Sequence, residues 1–75
     1  MHNVPVKESL RLDQFLKWAG VSMSGGQAKV LIQSGMVSVN GEETRLRGRM
    51  LADGDVVSIN EYGVYRVVFS AGEKE

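Results

Sequence analysis

The chain has 75 residues, enough for one domain close to the lower size at which a hydrophobic core suffices without cross-links. It contains no cysteine, which excludes disulfides and thiolate metal sites, and no apolar run approaches the roughly 20 residues of a membrane span. Nine basic and nine acidic side chains cancel overall, but residues 1–52 carry seven cations against four anions (+3) and residues 53–75 two against five (−3), an asymmetry compatible with one basic face for a polyanion.

Met1-His2-Asn3-Val4-Pro5 lacks the basic and apolar regions of a secretion signal, so a cytoplasmic protein is expected. Residues 4–10 read as an edge strand, the place in a sheet where Pro5 is tolerated. A first helix begins near Leu12: Leu12, Phe15, Leu16 and Ala19 form one apolar stripe, Asp13, Gln14 and Lys17 lie on the exposed side, and Gly20 ends it. Only Val21-Ser22-Met23 separates it from a second helix, so the two form a short helix–turn–helix pair. That second helix runs from the Ser24 cap to about Ser34, with Ala28, Leu31 and Ile32 inward and Gly35 as its stop. Ser24 and Gln27 have the spacing of a capping box, in which each side chain bonds the other residue's backbone N–H.

Met36-Val37-Ser38-Val39 alternates with period two and meets Asn40-Gly41, a strong signal for a tight type I′ hairpin, with a return strand over about residues 42–46. A loop over residues 47–52 leads to the Asp53-Gly54-Asp55 turn. Residues 56–59 form a strand, Tyr62-Gly63 marks a turn, residues 64–69 form a last strand and residues 70–75 a polar tail expected to fray. The expected core is Leu12, Phe15, Leu16, Ala28, Leu31, Ile32, Val37, Val39, Val57 and Ile59, with Met23, Met36 and Met50 filling gaps.

Gly25 and Gly26 in the first turn of the second helix are the unusual feature. Two glycines cost roughly 0.8–1 kcal/mol each against alanine in a helix. Either another helix packs tightly there, or an anion approaches the orphan N–H groups. Gly25, Lys29 and Gln33 follow one another along one stripe, with Gly26 beside it, so a cation and the glycines are neighbours. Arg45, Arg47 and Arg49 alternate, and in an extended segment their guanidiniums would share one side about 6.6–7 Å apart, a phosphate rail. The bland alternative is a solvated loop paired to Glu42 and Glu43. Trp18 lies off the apolar stripe and either stacks on an unpaired base or, the favoured reading, packs against a neighbouring strand. Tyr62 and Tyr65 fit sheet packing. Catalysis has no basis: His2 is the only histidine, no serine has a base, the Asp53/Asp55 pair is turn chemistry, and no metal cluster or phosphate-loop motif is present. No cofactor is expected.

The ordered set Arg11-Leu12-Asp13, Leu16, Gly20, Ser24, Ala28, Ile32, Gly35, Val37-Ser38-Val39-Asn40-Gly41 and Gly54-Asp55-Val56-Val57 resembles the S4-type RNA-binding domain over about residues 10–59. The Gly25-Gly26 variant and the Arg47-Gly48-Arg49 loop are similar to its small stand-alone bacterial members of the YbcJ/YaaA type. The resemblance implies an α+β domain, a helix pair on a small twisted sheet of four to five strands, that binds structured RNA, ribosomal or transfer; a monomer is expected. Residues 60–69 add a strand beyond that core. Where many members carry Ser-Arg, this chain has Ser24-Gly25, so no arginine contact is expected there. The residues nominated for RNA are Arg11 and Lys17 in the first helix region, Ser24, Gly25, Gly26, Gln27, Lys29 and Gln33 in the second, and Arg45, Arg47 and Arg49. The competing class is an adaptor that docks the same fold on a protein partner of translation or RNA processing.

Overall fold

In the computed structural model, which describes residues 1–69, the chain opens with β1 (His2–Val6) at one edge of a sheet, where the missing N–H of Pro5 interrupts no ladder. The strand stops at Val6 instead of running on to residue 10. Beyond it Leu10 accepts from Leu51 N–H at 2.9 Å and the Ser9 hydroxyl donates to the Leu51 carbonyl, which turns the segment away from the sheet. Two helices follow, α1 (Leu12–Trp18) and α2 (Gly25–Gln33). Next comes the hairpin of β2 (Val37–Val39) and β3 (Glu42–Glu43), and then β4 (Val56–Ile59) and β5 (Gly63–Phe69). The polar tail expected at residues 70–75 lies outside the described residues.

The five strands form one mixed sheet in the order β1-β5-β4-β2-β3, with β1 parallel to β5 and every other pair antiparallel. Alternation sets its faces: Val37, Val39, Val57, Ile59 and Val67 are buried on one side while Ser38, Ser58 and Arg66 take the other. Leu12, Phe15 and Leu16 of α1 and Ala28, Leu31 and Ile32 of α2 close over the buried side, so all ten expected core residues are in one cluster. Val6, Val21, Leu51 and Val67 complete it.

Asn40 and Gly41 have φ of 53° and 85°, the positive pair a type I′ turn requires. Asn40 also anchors β4: its amide donates to Asp55 Oδ1 at 3.1 Å and its carbonyl oxygen accepts from Val56 N–H at 2.9 Å. The turn before β5 is centred slightly earlier than Tyr62-Gly63. Glu61 takes φ 70°, Tyr62 N–H bonds the Ile59 carbonyl at 3.0 Å, and β5 starts at Gly63.

Three further expectations need correction. The return strand ends at Glu43, not near residue 46, because the chain then folds into a turn in which Arg49 N–H bonds the Leu46 carbonyl at 3.1 Å. Asp13 is buried (7% exposed) where an exposed helix face was expected, since residues 47–51 fold over the start of α1. Of the three methionines only Met36 packs on the core; Met23 is 91% and Met50 57% exposed. Neighbouring residues of extended chain point to opposite sides, and Leu51 takes the inward one, which leaves Met50 outside.

Candidate nucleic-acid interface

The two helices begin in opposite ways. At the start of α1 the loop supplies acceptors: Leu12 N–H bonds the Arg49 carbonyl at 2.8 Å and Asp13 N–H the Arg47 carbonyl at 3.1 Å. Asp13 Oδ1 takes Gln14 N–H at 2.8 Å and Arg11 Nε at 3.2 Å, so this helix end is closed to an outside anion. At the start of α2 the Ser24 hydroxyl oxygen accepts from Gln27 N–H at 3.1 Å. The return arm differs from the expected box: Gln27 Oε1 accepts from Met23 N–H at 2.7 Å, one residue before the cap. That leaves the N–H groups of Gly25 and Gly26 without a partner among the described residues.

The space around these glycines settles one alternative. A Cβ built on Gly25 meets nothing within 4 Å, and one on Gly26 meets only the Ser24 hydroxyl at 3.9 Å. No helix packs against them, so tight packing is not why they are glycine. The first turn of α2 presents bare backbone to solvent, at the helix end where aligned peptide dipoles favour negative charge. Lys29 and Gln33, both exposed, continue the stripe one and two turns on.

The arginines are at the other end of the helix pair and do not form an even rail. Arg45 pairs with Glu43 at 3.2 Å, and the two side chains lie over Gly35 just beyond α2, where an added Cβ would stand 3.0 Å from both Arg45 Nη2 and Glu43 Oε2. Arg47 and Arg49 follow in the turn that closes the start of α1, beside Arg11. The premise of an extended segment with one common side therefore fails, because the turn at residues 46–49 separates Arg45 from the other two. Arg11 and Arg45 each have an acidic partner, whereas Lys17, Lys29, Arg47 and Arg49 have no ion pair among the described residues.

The nominated residues thus fall into two groups. Ser24, Gly25, Gly26 and Gln27 lie where α1 hands over to α2, with Lys17 near the end of α1. Arg11, Arg45, Arg47 and Arg49 lie at the opposite end. The Lys29 and Gln33 stripe joins them along a helix about 13 Å long. Sequence reasoning missed Asp13, the buried carboxylate that orders Arg11. The only available signal was its place in the first turn of a helix, where an acid is favoured.

An S4 domain family model matches residues 5–68. The chain belongs to the S4 domain family. It is also 48% identical over 61 residues to the "Probable ribosome maturation protein RlbA" of Bacillus subtilis (strain 168), a match covering 81% of this chain and 86% of that protein. The family match thus runs from β1 into β5.

Proposed function

We propose that this S4 domain binds structured RNA, with ribosomal RNA of a maturing ribosomal subunit as its first target, by holding phosphates and not by reading bases. The observation that carries this reading is the start of α2, where Gly25 and Gly26 offer two backbone N–H groups in empty space. The 48% identity to a relative named for ribosome maturation directs it to the ribosome.

One phosphate sits at the Gly25 and Gly26 N–H groups, helped by the helix dipole and by Lys29 one turn on. Others sit at the arginine end, where a guanidinium can grip two phosphate oxygens and remains charged at any working pH. Two anion sites separated by a rigid helix measure the spacing of a folded RNA backbone, which suits recognition by shape. The domain does this as a single copy in the cytoplasm and performs no chemistry of its own. No helix among the described residues is long and apolar enough to cross a membrane.

Binding to ribosomal RNA measured across salt concentrations tests the reading. Counterion release makes the affinity fall steeply with salt, by roughly 0.7–0.9 in log–log slope per phosphate held. Crosslinking in cells, followed by sequencing of the bound RNA, is expected to recover ribosomal RNA at defined junctions. A salt-independent affinity, or recovery of protein partners alone, assigns the fold to the adaptor class.

A further inference from the structure

Trp18 is the chain's single tryptophan, and α1 holds it unlike its other large apolar residues. Its indole N–H donates to the Pro5 carbonyl of β1 at 2.9 Å, yet the residue is 64% exposed. The ring is tied to a strand by this one bond, with most of its surface left open, and is not packed on the strand as expected. The ring's one polar atom is satisfied inside the protein, and the apolar surface that remains faces solvent. Beside it runs an open groove of about 180 Å³, whose other walls are Val6, Lys7, Glu8 and Leu10.

The charges around this groove describe its occupant. Glu8 on the rim repels a phosphate, so the part that enters must be uncharged. Lys7 on the same rim and Lys17 next to the tryptophan have no ion pair among the described residues and favour a negatively charged backbone close by. A flat neutral ring carried on a polyanion meets both conditions.

We propose that Trp18, with Val6 and Leu10 as the groove floor, is a stacking site for one unpaired nucleobase of the bound RNA. The proposal rests on the RNA-binding reading above and adds to it a site outside the phosphate contacts. Every base has a π face, so such a site is tolerant of sequence. The tether to Pro5 fixes the ring before binding, which removes part of the ordering cost a free side chain would incur. Trp18 ends α1, and the link 19–24 leads directly to Gly25, so the tryptophan lies at the same end of the helix pair as the open N–H groups, while Leu10 carries the groove toward the start of α1.

The tryptophan is its own reporter. Two RNA hairpins are titrated into the full chain at low salt, one with a single unpaired bulge nucleotide and one with an abasic residue at that bulge. The bulged hairpin is expected to quench Trp18 fluorescence and to bind about five- to a hundredfold more tightly than the abasic one, the range for a base stacked on an aromatic side chain. Trp18→Leu is expected to bring the bulged hairpin to the abasic level without changing the salt slope. Equal quenching and affinity for the two hairpins overturns the stacking site while leaving phosphate binding intact. So does a Trp18→Leu chain that keeps the preference for the bulge. If neither hairpin binds the unaltered chain, the RNA-binding reading falls and the stacking site with it. The fluorescence comparison uses the unaltered chain, so it holds even where Trp18→Leu folds poorly.

Discussion

Gly25 and Gly26 place stability and binding in opposition at single residues. Both lie in a helical turn with open space at the Cβ position, so alanine fits at either without a clash. Replacing both with alanine is expected to stabilise the fold by about 0.5–1 kcal/mol each, read from denaturant midpoints, while weakening RNA binding because methyl groups now shield the N–H groups. A double mutant that is no more stable, or that binds RNA as tightly, would remove the argument for a close anion. Asn40 tests the reverse situation, a side chain that the fold needs. Asn40→Ala loses two side-chain hydrogen bonds and must hold φ near 53°, for about 2–4 kcal/mol, whereas Asn40→Gly keeps the backbone at ease and loses about 1–2. Equal costs for the two variants would mean that the bonds to Asp55 and Val56, and not the left-handed backbone, set the penalty.

At the scale of elements, the loop over residues 44–52 does the work that a longer β3 was expected to do. It caps α1 with two carbonyls, buries Leu51 in the core and presents Arg47 and Arg49. Leu51→Ala is therefore expected to cost about 2–5 kcal/mol by thermal or denaturant unfolding, as much as truncating a leucine of α1, although Leu51 belongs to no regular element. A loss below about 0.5 kcal/mol, the scatter of surface substitutions, would show that the loop is not held by its leucine. The arginines also separate in function. Arg45 is engaged by Glu43 beyond the end of α2, so Arg45→Ala is expected to change the salt slope of RNA binding less than Arg47→Ala with Arg49→Ala, which is expected to lower it by about one to two. An equal change per residue removed would restore a single rail of three.

Across the whole molecule, the elements whose determinants are close in sequence were legible and those set by distant contacts were not. The helix phases follow from Leu12, Phe15, Leu16 and Ala28, Leu31, Ile32, and the hairpin follows from Asn40-Gly41, because each depends on neighbours within a few residues. The burial of Asp13 and Leu51 and the early end of β3 share one cause, the docking of residues 47–51 on α1, which no local pattern reports. The same limit applied to the site. The glycine turn and the Lys29 stripe could be read from helical spacing, whereas the arginines were placed on one side by assuming an extended chain. Their division between the end of α2 and the start of α1 required the turn at residues 46–49 to be seen.

The parallel pairing of β1 with β5 also fixes the order in which the chain can assemble. His2 faces Tyr65, and Val6 faces Phe69, so the first strand has its only sheet neighbour at the far end of the described chain. The helix pair and the β2–β3 hairpin close small loops and can form early, but β1 waits for β5, and closing so long a loop is entropically slow to reward. The edge is thus the last part to lock and the first to open. Weakening it with Val6→Ala should speed unfolding while leaving the folding arm of the denaturant chevron nearly unchanged. A slowed folding arm would instead place the two chain ends in the nucleus. Because Pro5 in that strand holds the Trp18 indole, each such opening would also release the ring, making indole fluorescence a clock for the chain's own edge.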